Sequence, residues 1–234
     1  MVNIAENIAQ IRRQIADAAQ RSGRQAKEIK LMAVSKFHPF ERMREAADFV
    51  DLLGENRVQE AAGKRALWQE NRFETPWHLI GSLQKNKARK ALETFDLIES
   101  VDNFELAAVL NRVLEETDTV FPIYMEVNMS HEQSKSGVAE ENALQLAEEI
   151  LKKCPRLKIE GLMTIAPITE EEKAIRKAFC GLRELRDKLR LATGLELSEL
   201  SMGMSGDFAY AIEEGSTIVR VGTAIFGKRV GYTL

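Results

Sequence analysis

Hydrophobic residues near the start of the chain recur every three or four positions, which is the spacing of one face of an α-helix. The members of this stripe are Ile4, Ile8, Ile11, Ile15 and Ala19. Asn3 with Glu6 three residues later matches a capping box at the helix N-terminus, and Gly23 matches a C-terminal stop. The pattern predicts an amphipathic helix over residues 1–23 that packs on the rest of the protein.

After this helix, short apolar runs alternate with stretches of helical periodicity. The apolar runs predict eight β-strands at residues 30–35, 49–54, 77–81, 95–101, 122–128, 158–164, 195–200 and 217–222. A helical pattern follows each of the first seven runs, and such alternation is typical of parallel strands joined by helices. Eight repeats in 234 residues favour an α/β protein with a single (β/α)8 TIM barrel. The alternative is an open doubly wound sheet, but no GxGxxG sequence follows any of the runs.

Two of the intervening helices have predicted N-caps. Asp102 with Glu105 precedes the helix after the fourth run, and Thr169 with Glu172 precedes the long helix after the sixth run. The seventh run, LELSEL, is polar enough to be the least clear of the predicted strands.

The overall charge excludes some classes of function. A formal net charge of −3 and a pI near 5.8 argue against nucleic-acid binding, which needs concentrated positive potential. The first six residues contain Asn and Glu, which fits neither a signal peptide nor a membrane span. The His and Cys residues are not at metal-ligand spacing. We therefore expect a cytoplasmic protein without a metal, nucleic-acid or membrane partner.

Small, polar or basic residues follow several of the predicted strands. They are Lys36 after the first, Asn56 after the second, Ser201, Met202 and Gly203 after the seventh, and Gly222 and Thr223 after the eighth. In a TIM barrel these positions meet at one end, where active sites lie and where the last two loops often bind phosphate. Ser205 is placed to cap the helix after the seventh strand. Tight turns are the alternative explanation of the glycines.

Arg220 and Lys36 are the two basic candidates. Arg220 alternates with Val219 and Val221, so it faces the barrel interior if the valines pack against helices. A structural ion pair is the alternative for Arg220, and a solvated strand end is the alternative for Lys36. A lysine amine can form a Schiff base, so an inward lysine, an inward arginine and a phosphate-binding pair of loops are the parts of a pyridoxal phosphate site.

Seven stretches carry a family resemblance: AVSKFHP, LGENRVQEAAGK, WHLIGSLQKNK, SVDN, VNMSHEQSKSGV, GLMTIAP and LSMGMSGDFAYAIEEGSTIVRVGTAIFG. In this order they resemble the pyridoxal phosphate homeostasis (YggS/PROSC) proteins, which are related to the N-terminal barrel of alanine racemase. The resemblance implies a single fold-type III domain over residues 1–234 that binds pyridoxal 5′-phosphate (PLP). It implies a covalent aldimine to Lys36, Arg220 against the pyridine nitrogen and Asn56 near the ring. The phosphate contacts it implies are Ser201, Met202, Gly222 and Thr223.

One departure from the family pattern concerns a second amine. Many members have a lysine two residues after the Schiff-base lysine, where this chain has His38, so a role of that amine in cofactor transfer is in doubt here. Lys135 either faces solvent or approaches a ligand phosphate.

Two functions follow from the resemblance. The first is a PLP-binding protein of vitamin B6 homeostasis, expected as a monomer, that supplies or buffers PLP for apoenzymes and is not itself an enzyme. The second is a low-activity amino-acid racemase. The first is favoured because the chain stops soon after Thr223, with no domain to place Tyr232 or another opposing base. A charged Arg220 beside the pyridine nitrogen also weakens the ring as an electron sink. A cofactor-free aldolase-type barrel is a third, weaker candidate.

Overall fold

The N-terminal stripe forms helix α1 (Ile4–Arg21). The Asn3 side chain accepts a hydrogen bond from the Glu6 backbone N–H at 3.2 Å and so caps the first turn. The buried face consists of Ile4, Ile8, Ile11, Ile15, Ala18 and Ala19. This face lies against the outside of the barrel, where Asn7 Nδ2 donates to the Ile225 carbonyl at 2.9 Å.

Eight parallel strands close into a barrel in the computed structural model, which describes residues 2–130, 132 and 135–227. The strands are β1 (Lys30–Val34), β2 (Leu52–Glu55), β3 (Trp77–Leu79), β4 (Leu97–Val101), β5 (Phe121–Asn128), β7 (Leu157–Met163), β8 (Glu199–Ser201) and β9 (Ile218–Val221). Each pairs with the next, and β9 pairs with β1 to close the ring. The two-residue strand β6 (Val138–Ala139) pairs with β5 beside the ring. The predicted α/β barrel with an extra N-terminal helix is confirmed, and Tyr232 lies outside the described residues.

A helix follows each strand of the ring. These helices are α2 (Phe40–Ala47), α3 (Val58–Glu70), α4 (Ala88–Thr94), α5 (Phe104–Glu115), α6 (Ala143–Lys153), α7 (Glu172–Thr193), α8 (Phe208–Glu213) and α9 (Thr223–Phe226). The four-residue α9 was not predicted, because one turn is too short to show helical periodicity. Within the described part of the chain, no helix combines the length and the apolar character needed to cross a membrane.

The two predicted N-caps are wrong by one or two residues. Asn103, and not Asp102, caps α5, because its Oδ1 accepts a hydrogen bond from the Leu106 N–H at 2.9 Å. Helix α7 begins after Glu171, and the Thr169 hydroxyl only accepts from the Glu171 N–H at 3.1 Å.

Six of the eight ring strands are shorter than predicted, and the later start of two of them, β8 and β2, has a clear local cause. Strand β8 contains only Glu199–Ser201, because Leu197 has a φ of 39° and so cannot continue an extended strand. Strand β2 begins at Leu52. Phe49 is exposed, and the Asp51 side chain, in place of its backbone carbonyl, accepts the Leu31 N–H at 2.7 Å.

Alternate strand residues face the helices and the barrel interior. The outer cluster includes Val219 and Val221, as predicted. The inner cluster consists of Met32, Val34, Leu52, Leu97, Tyr124, Met163 and Ile218, with Ile80 packed against it. On β4, β5 and β9 the next inward residue towards the carboxyl end is charged, namely Glu99, Glu126 and Arg220. The apolar interior therefore gives way to a polar layer at the end of the barrel where the site is expected.

Candidate functional site

A hydrogen-bonded layer of polar side chains crosses the barrel interior. Arg220 Nη1 donates to Ser201 Oγ at 2.8 Å, and its Nη2 donates to the Thr164 carbonyl at 2.7 Å. The Ser201 hydroxyl donates to Glu99 Oε2 at 2.5 Å, and His78 Nδ1 lies 2.7 Å from Glu99 Oε1. All five residues are buried, and the layer gives each charged group the partner that burial requires.

Arg220 has the inward orientation that its alternation with valines predicted. Burial lowers the pKa of its guanidinium, and the nearby carboxyl groups of Glu99, Glu126 and Asp207 oppose this shift. Arginine does not lose its proton in proteins, so the guanidinium stays charged near neutral pH. The barrel interior therefore contains a fixed positive charge. Its contact with a pyridine nitrogen stays a prediction.

A cavity of about 210 Å³ opens beside the polar layer, at the ends of β2, β3, β5 and β7. Its lining consists of Asn56, Ile80, Gly81, Ser82, Glu126, Val127, Asn128, Lys135, Ser136 and Ile165. Burial, reinforced by Asp102, raises the pKa of Glu126 to about 7. Asn56 Oδ1 is buried and has no hydrogen-bond partner among the described residues. The cavity can therefore offer a ligand both an unsatisfied acceptor and a titrating carboxyl group.

Lys36 leaves strand β1 at the same end of the barrel. The register pairs Ala33 on β1 with Val221 on β9. Lys36 and Gly222 therefore follow two neighbouring strands at the same end of the barrel. A Cβ added to Gly222 would lie 3.2 Å from the Val34 carbonyl oxygen, so the two strand ends approach closely there. The structure thus brings Lys36 and Gly222 to one edge of the barrel mouth, the end of the barrel at which the strands terminate.

Residues of the motif LGENRVQEAAGK contact both chain neighbours of Lys36. Lys64 Nζ from α3 donates to Glu55 Oε1 at 2.9 Å and to Glu60 Oε1 at 2.8 Å. Ser35 Oγ donates to the same Glu55 oxygen at 2.8 Å, and the Phe37 N–H donates to Glu60 Oε1 at 2.7 Å. Both chain neighbours of Lys36 are therefore attached to charged groups.

The loops after β8 and β9 hold the predicted phosphate contacts. Ser201 and Met202 are buried: the Ser201 hydroxyl is bonded inside the polar layer, and the Met202 N–H donates to the Ile218 carbonyl at 3.1 Å. Gly222 is half-buried, and the exposed Thr223 begins α9. Gly222 and Thr223 lie at the mouth, whereas the polar groups of Ser201 and Met202 have partners in the barrel wall.

The predicted cap of α8 is wrong. Asp207, and not Ser205, precedes the first helical residue, and its Oδ1 accepts a hydrogen bond from the Met204 N–H at 2.5 Å. Burial raises the pKa of Asp207, and the Met204 hydrogen bond opposes this shift. The Met204 N–H of this loop is therefore already bonded to a carboxylate.

His38 and Lys135 have specific contacts. The His38 ring stacks on the Phe226 ring with centroids 4.7 Å apart, so an aromatic contact to α9 stands where many family members have a lysine. Lys135 Nζ donates to the Ala166 carbonyl at 3.0 Å and pairs with Glu132 at 2.8 Å. Lys135 thus lines the cavity with its amine engaged by protein groups.

Sequence reasoning missed the acidic residues of the site. Glu99 follows Leu97, and Glu126 follows Tyr124, by two positions, and Leu97 and Tyr124 belong to the apolar inner cluster. An isolated acidic residue at an inward position of a buried strand would have indicated them. No group of three or more His, Cys, Asp or Glu side chains that could hold a metal occurs among the residues that the structure describes.

Comparison with known sequences gives full-length matches. Residues 5–230 match the family model described as alanine racemase, N-terminal domain. The chain is 43% identical over 233 residues to the pyridoxal phosphate homeostasis protein of Pseudomonas aeruginosa, which covers 98% of this chain and 97% of that protein. It is 40% identical over 229 residues to the protein of the same name from Aquifex aeolicus, covering 97% and 99%.

Comparison with solved structures gives the same fold. PipY of Synechococcus elongatus, solved with PLP bound, superposes with a TM-score of 0.79 at 37% identity over 91% of this chain and 100% of PipY. Alanine racemase of Clostridium difficile superposes with a TM-score of 0.74 at 18% identity, covering 97% of this chain and 56% of the racemase. The racemase likeness shows a shared barrel fold.

Proposed function

This chain belongs to the pyridoxal phosphate homeostasis protein family, and on that premise we propose that it binds PLP reversibly and serves PLP (vitamin B6) homeostasis. The observation that carries the proposal is PipY with PLP bound, a structure that is 37% identical and superposes over 91% of the chain. The curated relatives at 40% and 43% identity are named for homeostasis, which favours a binding protein over an enzyme.

The chemistry of the mouth fits PLP. PLP carries an aldehyde, a phosphate and a pyridine ring, and these need an amine, hydrogen-bond donors and a shaped wall. Lys36 supplies an amine at the end of β1, and the close approach at Gly222 exposes backbone beside it. Arg220 supplies a buried guanidinium below, and Asn56 Oδ1 is a buried polar atom without a partner in the described residues.

We propose Lys36 as the attachment residue. A neutral lysine amine condenses with an aldehyde, losing water and forming a covalent Schiff base that hydrolysis reverses. Reversibility suits a protein that holds the cofactor and releases it to apoenzymes.

Arg220 has a proposed role in keeping the bound cofactor inert. Ser201 and Thr164 fix the guanidinium inside the barrel at 2.8 and 2.7 Å. A fixed positive charge next to a pyridine nitrogen disfavours protonation of that nitrogen, which weakens the ring as an electron sink. Chemistry that needs a strong sink, such as transamination, is then disfavoured.

The proposed phosphate contacts differ in their support. Gly222 and Thr223 are supported by their position at the mouth, and their backbone N–H groups would bind the phosphate. Ser201 and Met202 have less support, because their polar groups already bond to the protein. Ser201 Oγ accepts from Arg220, and the Met202 N–H donates to the Ile218 carbonyl. They would therefore support the phosphate site from the barrel wall.

The test is a titration with PLP followed by chemical trapping. The protein should develop an absorbance band in the visible range, and borohydride should fix the cofactor to the peptide that contains Lys36. Lys36→Ala should lose the band, whereas the control Lys90→Ala, on an exposed helix position, should keep it. A spectrum equal to that of free PLP, or label confined to other peptides, would overturn the proposal and favour a cofactor-free barrel.

Racemisation of amino acids is the second candidate, favoured by the fold shared with alanine racemase. Incubation of the PLP-loaded protein with each L-amino acid in deuterated water tests it. We expect no D-isomer and no α-deuterium above the level that free PLP gives. Exchange at ordinary enzymatic rates that disappears in Lys36→Ala would make the protein an enzyme.

A further inference from the structure

Lys36 is the central residue of a segment that is held from outside the barrel. Ser35 and Glu55 share the parity of Ala33 and Leu53, which belong to the outer cluster, so their side chains lie between the barrel wall and α3. Lys36, one position further on, lies in the turn after β1, two positions after Val34 of the inner cluster. The groups that hold its neighbours therefore lie on the side of the wall opposite to the proposed cofactor.

Lys64 joins these groups into one network. Its ammonium donates to carboxylate oxygens of Glu55 and Glu60 and to the Ser35 carbonyl, at 2.9, 2.8 and 3.3 Å. Glu60 and Lys64 are one helical turn apart on α3, which places both side chains on the same helix face. A rigid helix thus presents the network to the turn that contains Lys36.

The network is shielded from water. The Glu55 side chain is fully buried, the Lys64 side chain is 12% exposed and the Glu60 side chain is 23% exposed. Glu55 Oε2 is buried without a hydrogen-bond partner among the described residues. Charged hydrogen bonds in such surroundings are stronger and more directional than surface ion pairs.

Phe37 has a strained backbone conformation that the network stabilises. Its φ is 67°, in the left-handed region, which residues other than glycine adopt only with backbone strain. The charge-assisted bond from the Phe37 N–H to Glu60 Oε1, 2.7 Å long, opposes relaxation of this conformation. The Arg57 guanidinium over the Phe37 ring, at 5.2 Å, also fixes the side chain.

We propose that Glu60, Lys64 and Glu55 are positioning residues for Lys36. By holding Ser35 and the strained Phe37 from behind the barrel wall, they fix the backbone direction from which the Lys36 amine enters the mouth. The inference rests on the proposed function for its ligand, but the geometry it assigns to Lys36 exists without the ligand.

The first test compares variants of Glu60. Glu60→Ala removes the acceptor for the Phe37 N–H, and the apparent Kd for PLP should rise about tenfold or more, as for loss of one charged hydrogen bond. Glu60→Gln keeps an uncharged acceptor and should show a smaller rise. The matched control is Glu149→Ala, which removes the Glu149–Lys153 pair at the same spacing on α6 and should leave the Kd unchanged.

The second test uses the protein without PLP. Reaction of the folded protein with pyridoxal, trapped by borohydride and quantified on the Lys36 peptide, reports the accessibility of the amine itself. Glu60→Ala should slow this labelling severalfold at a temperature well below its unfolding midpoint. Adding Phe37→Gly should restore much of the rate, because glycine adopts a positive φ without strain.

The outcomes separate this inference from the proposed function. If Glu60→Ala lowers only the unfolding temperature, with unchanged Kd and labelling rate, the network is merely structural and the inference fails. If the wild type binds no PLP but Glu60→Ala still slows pyridoxal labelling of Lys36, the function fails and the positioning role stands. Should Glu60→Ala not fold, Glu60→Gln carries the same comparison.

Discussion

At the scale of single residues, the barrel interior contains two kinds of buried acid. Glu99 has partners on both carboxylate oxygens, from Ser201 at 2.5 Å and His78 at 2.7 Å. Burial, reinforced by the nearby Asp102, raises the pKa of Glu126 to about 7. The fold therefore accommodates Glu99 through hydrogen bonds, whereas the proton affinity of Glu126 is raised.

Glu126→Gln should remove a pH dependence of stability. The raised pKa means that the folded state binds this proton more tightly than the unfolded state, whose pKa is near 4.5. The protonated Glu126 therefore contributes to the unfolding free energy fully below about pH 4.5. This contribution is lost as the pH rises to about 7. Relative to wild type, the variant should gain up to about 3 kcal/mol in unfolding free energy between pH 4.5 and 8. Denaturant unfolding at several pH values measures this, and parallel curves would contradict it.

Arg220→Met should destabilise the protein by about 3–5 kcal/mol, because it leaves Glu99 and Glu126 without their buried cation. Adding Glu99→Gln should recover part of the loss. The control Arg89→Met breaks an exposed pair with Glu116 and should cost less than about 1 kcal/mol. Equal losses for the two arginines in denaturant unfolding would show that the buried layer contributes nothing special.

Sequence parity alone was enough to orient Arg220, because a charge between two valines in a strand has one side to face. The partners of Arg220 could not be predicted, since Glu99 reaches the layer from the opposite side of the ring, 102 residues from Ser201. Likewise, the order of the strands placed Lys36 beside Gly222, but the ties to Glu55 and Glu60 depend on how α3 packs. Local pattern predicts direction, and tertiary packing selects the partner.

At the scale of elements, the number, type and order of the strands followed from the alternation of apolar runs and helical stretches. The ends of the elements did not, because competing side-chain hydrogen bonds decide them. Asp102 was free to cap α5 in the sequence, but in the fold its carboxylate accepts from Gly137 N–H at 3.3 Å and from Asn103 Nδ2 at 2.6 Å. That engagement leaves Asn103 to cap the helix.

Asn103→Ala should cost about 1 kcal/mol in unfolding free energy, the usual loss for an N-cap. Thr169→Ala, at the predicted but incorrect cap of α7, should cost less than about 0.5 kcal/mol, because its hydroxyl bonds only a loop N–H. Denaturant unfolding of the two variants side by side checks the assignment. A larger loss for Thr169→Ala would reverse it.

At the scale of the whole molecule, the first helix packs on the last two. Helix α1 contacts α8 and α9, and Arg21 Nε pairs with Glu213 at 2.7 Å. Arg24, just after α1, donates to the Ile212 and Ser216 carbonyls at 3.0 and 2.7 Å. Helices α8 and α9 follow the loops with the proposed phosphate contacts, so the N-terminal helix supports that side of the site.

Ile8→Ala on the buried face of α1 should destabilise the protein by about 2–5 kcal/mol, and Ile8→Val by about 1 kcal/mol. Because α1 supports α8 and α9, the alanine variant should also weaken PLP binding, while the valine variant should not. Unfolding and PLP titration of the same preparations test both statements. A loss of stability with unchanged PLP affinity would separate α1 from the site.

The pairing of β1 with β9 has a consequence for the order in which the parts of the proposed site are synthesised. Lys36 follows β1, which precedes the other ring strands along the chain, whereas Arg220 lies in β9 and Gly222 directly follows it. The register joins β1 and β9 side by side. A chain that ends before β9 has Lys36 but lacks the neighbouring strand that carries Arg220 and the Gly222 that follows it. On the proposed function, binding of PLP therefore requires that synthesis has passed β9.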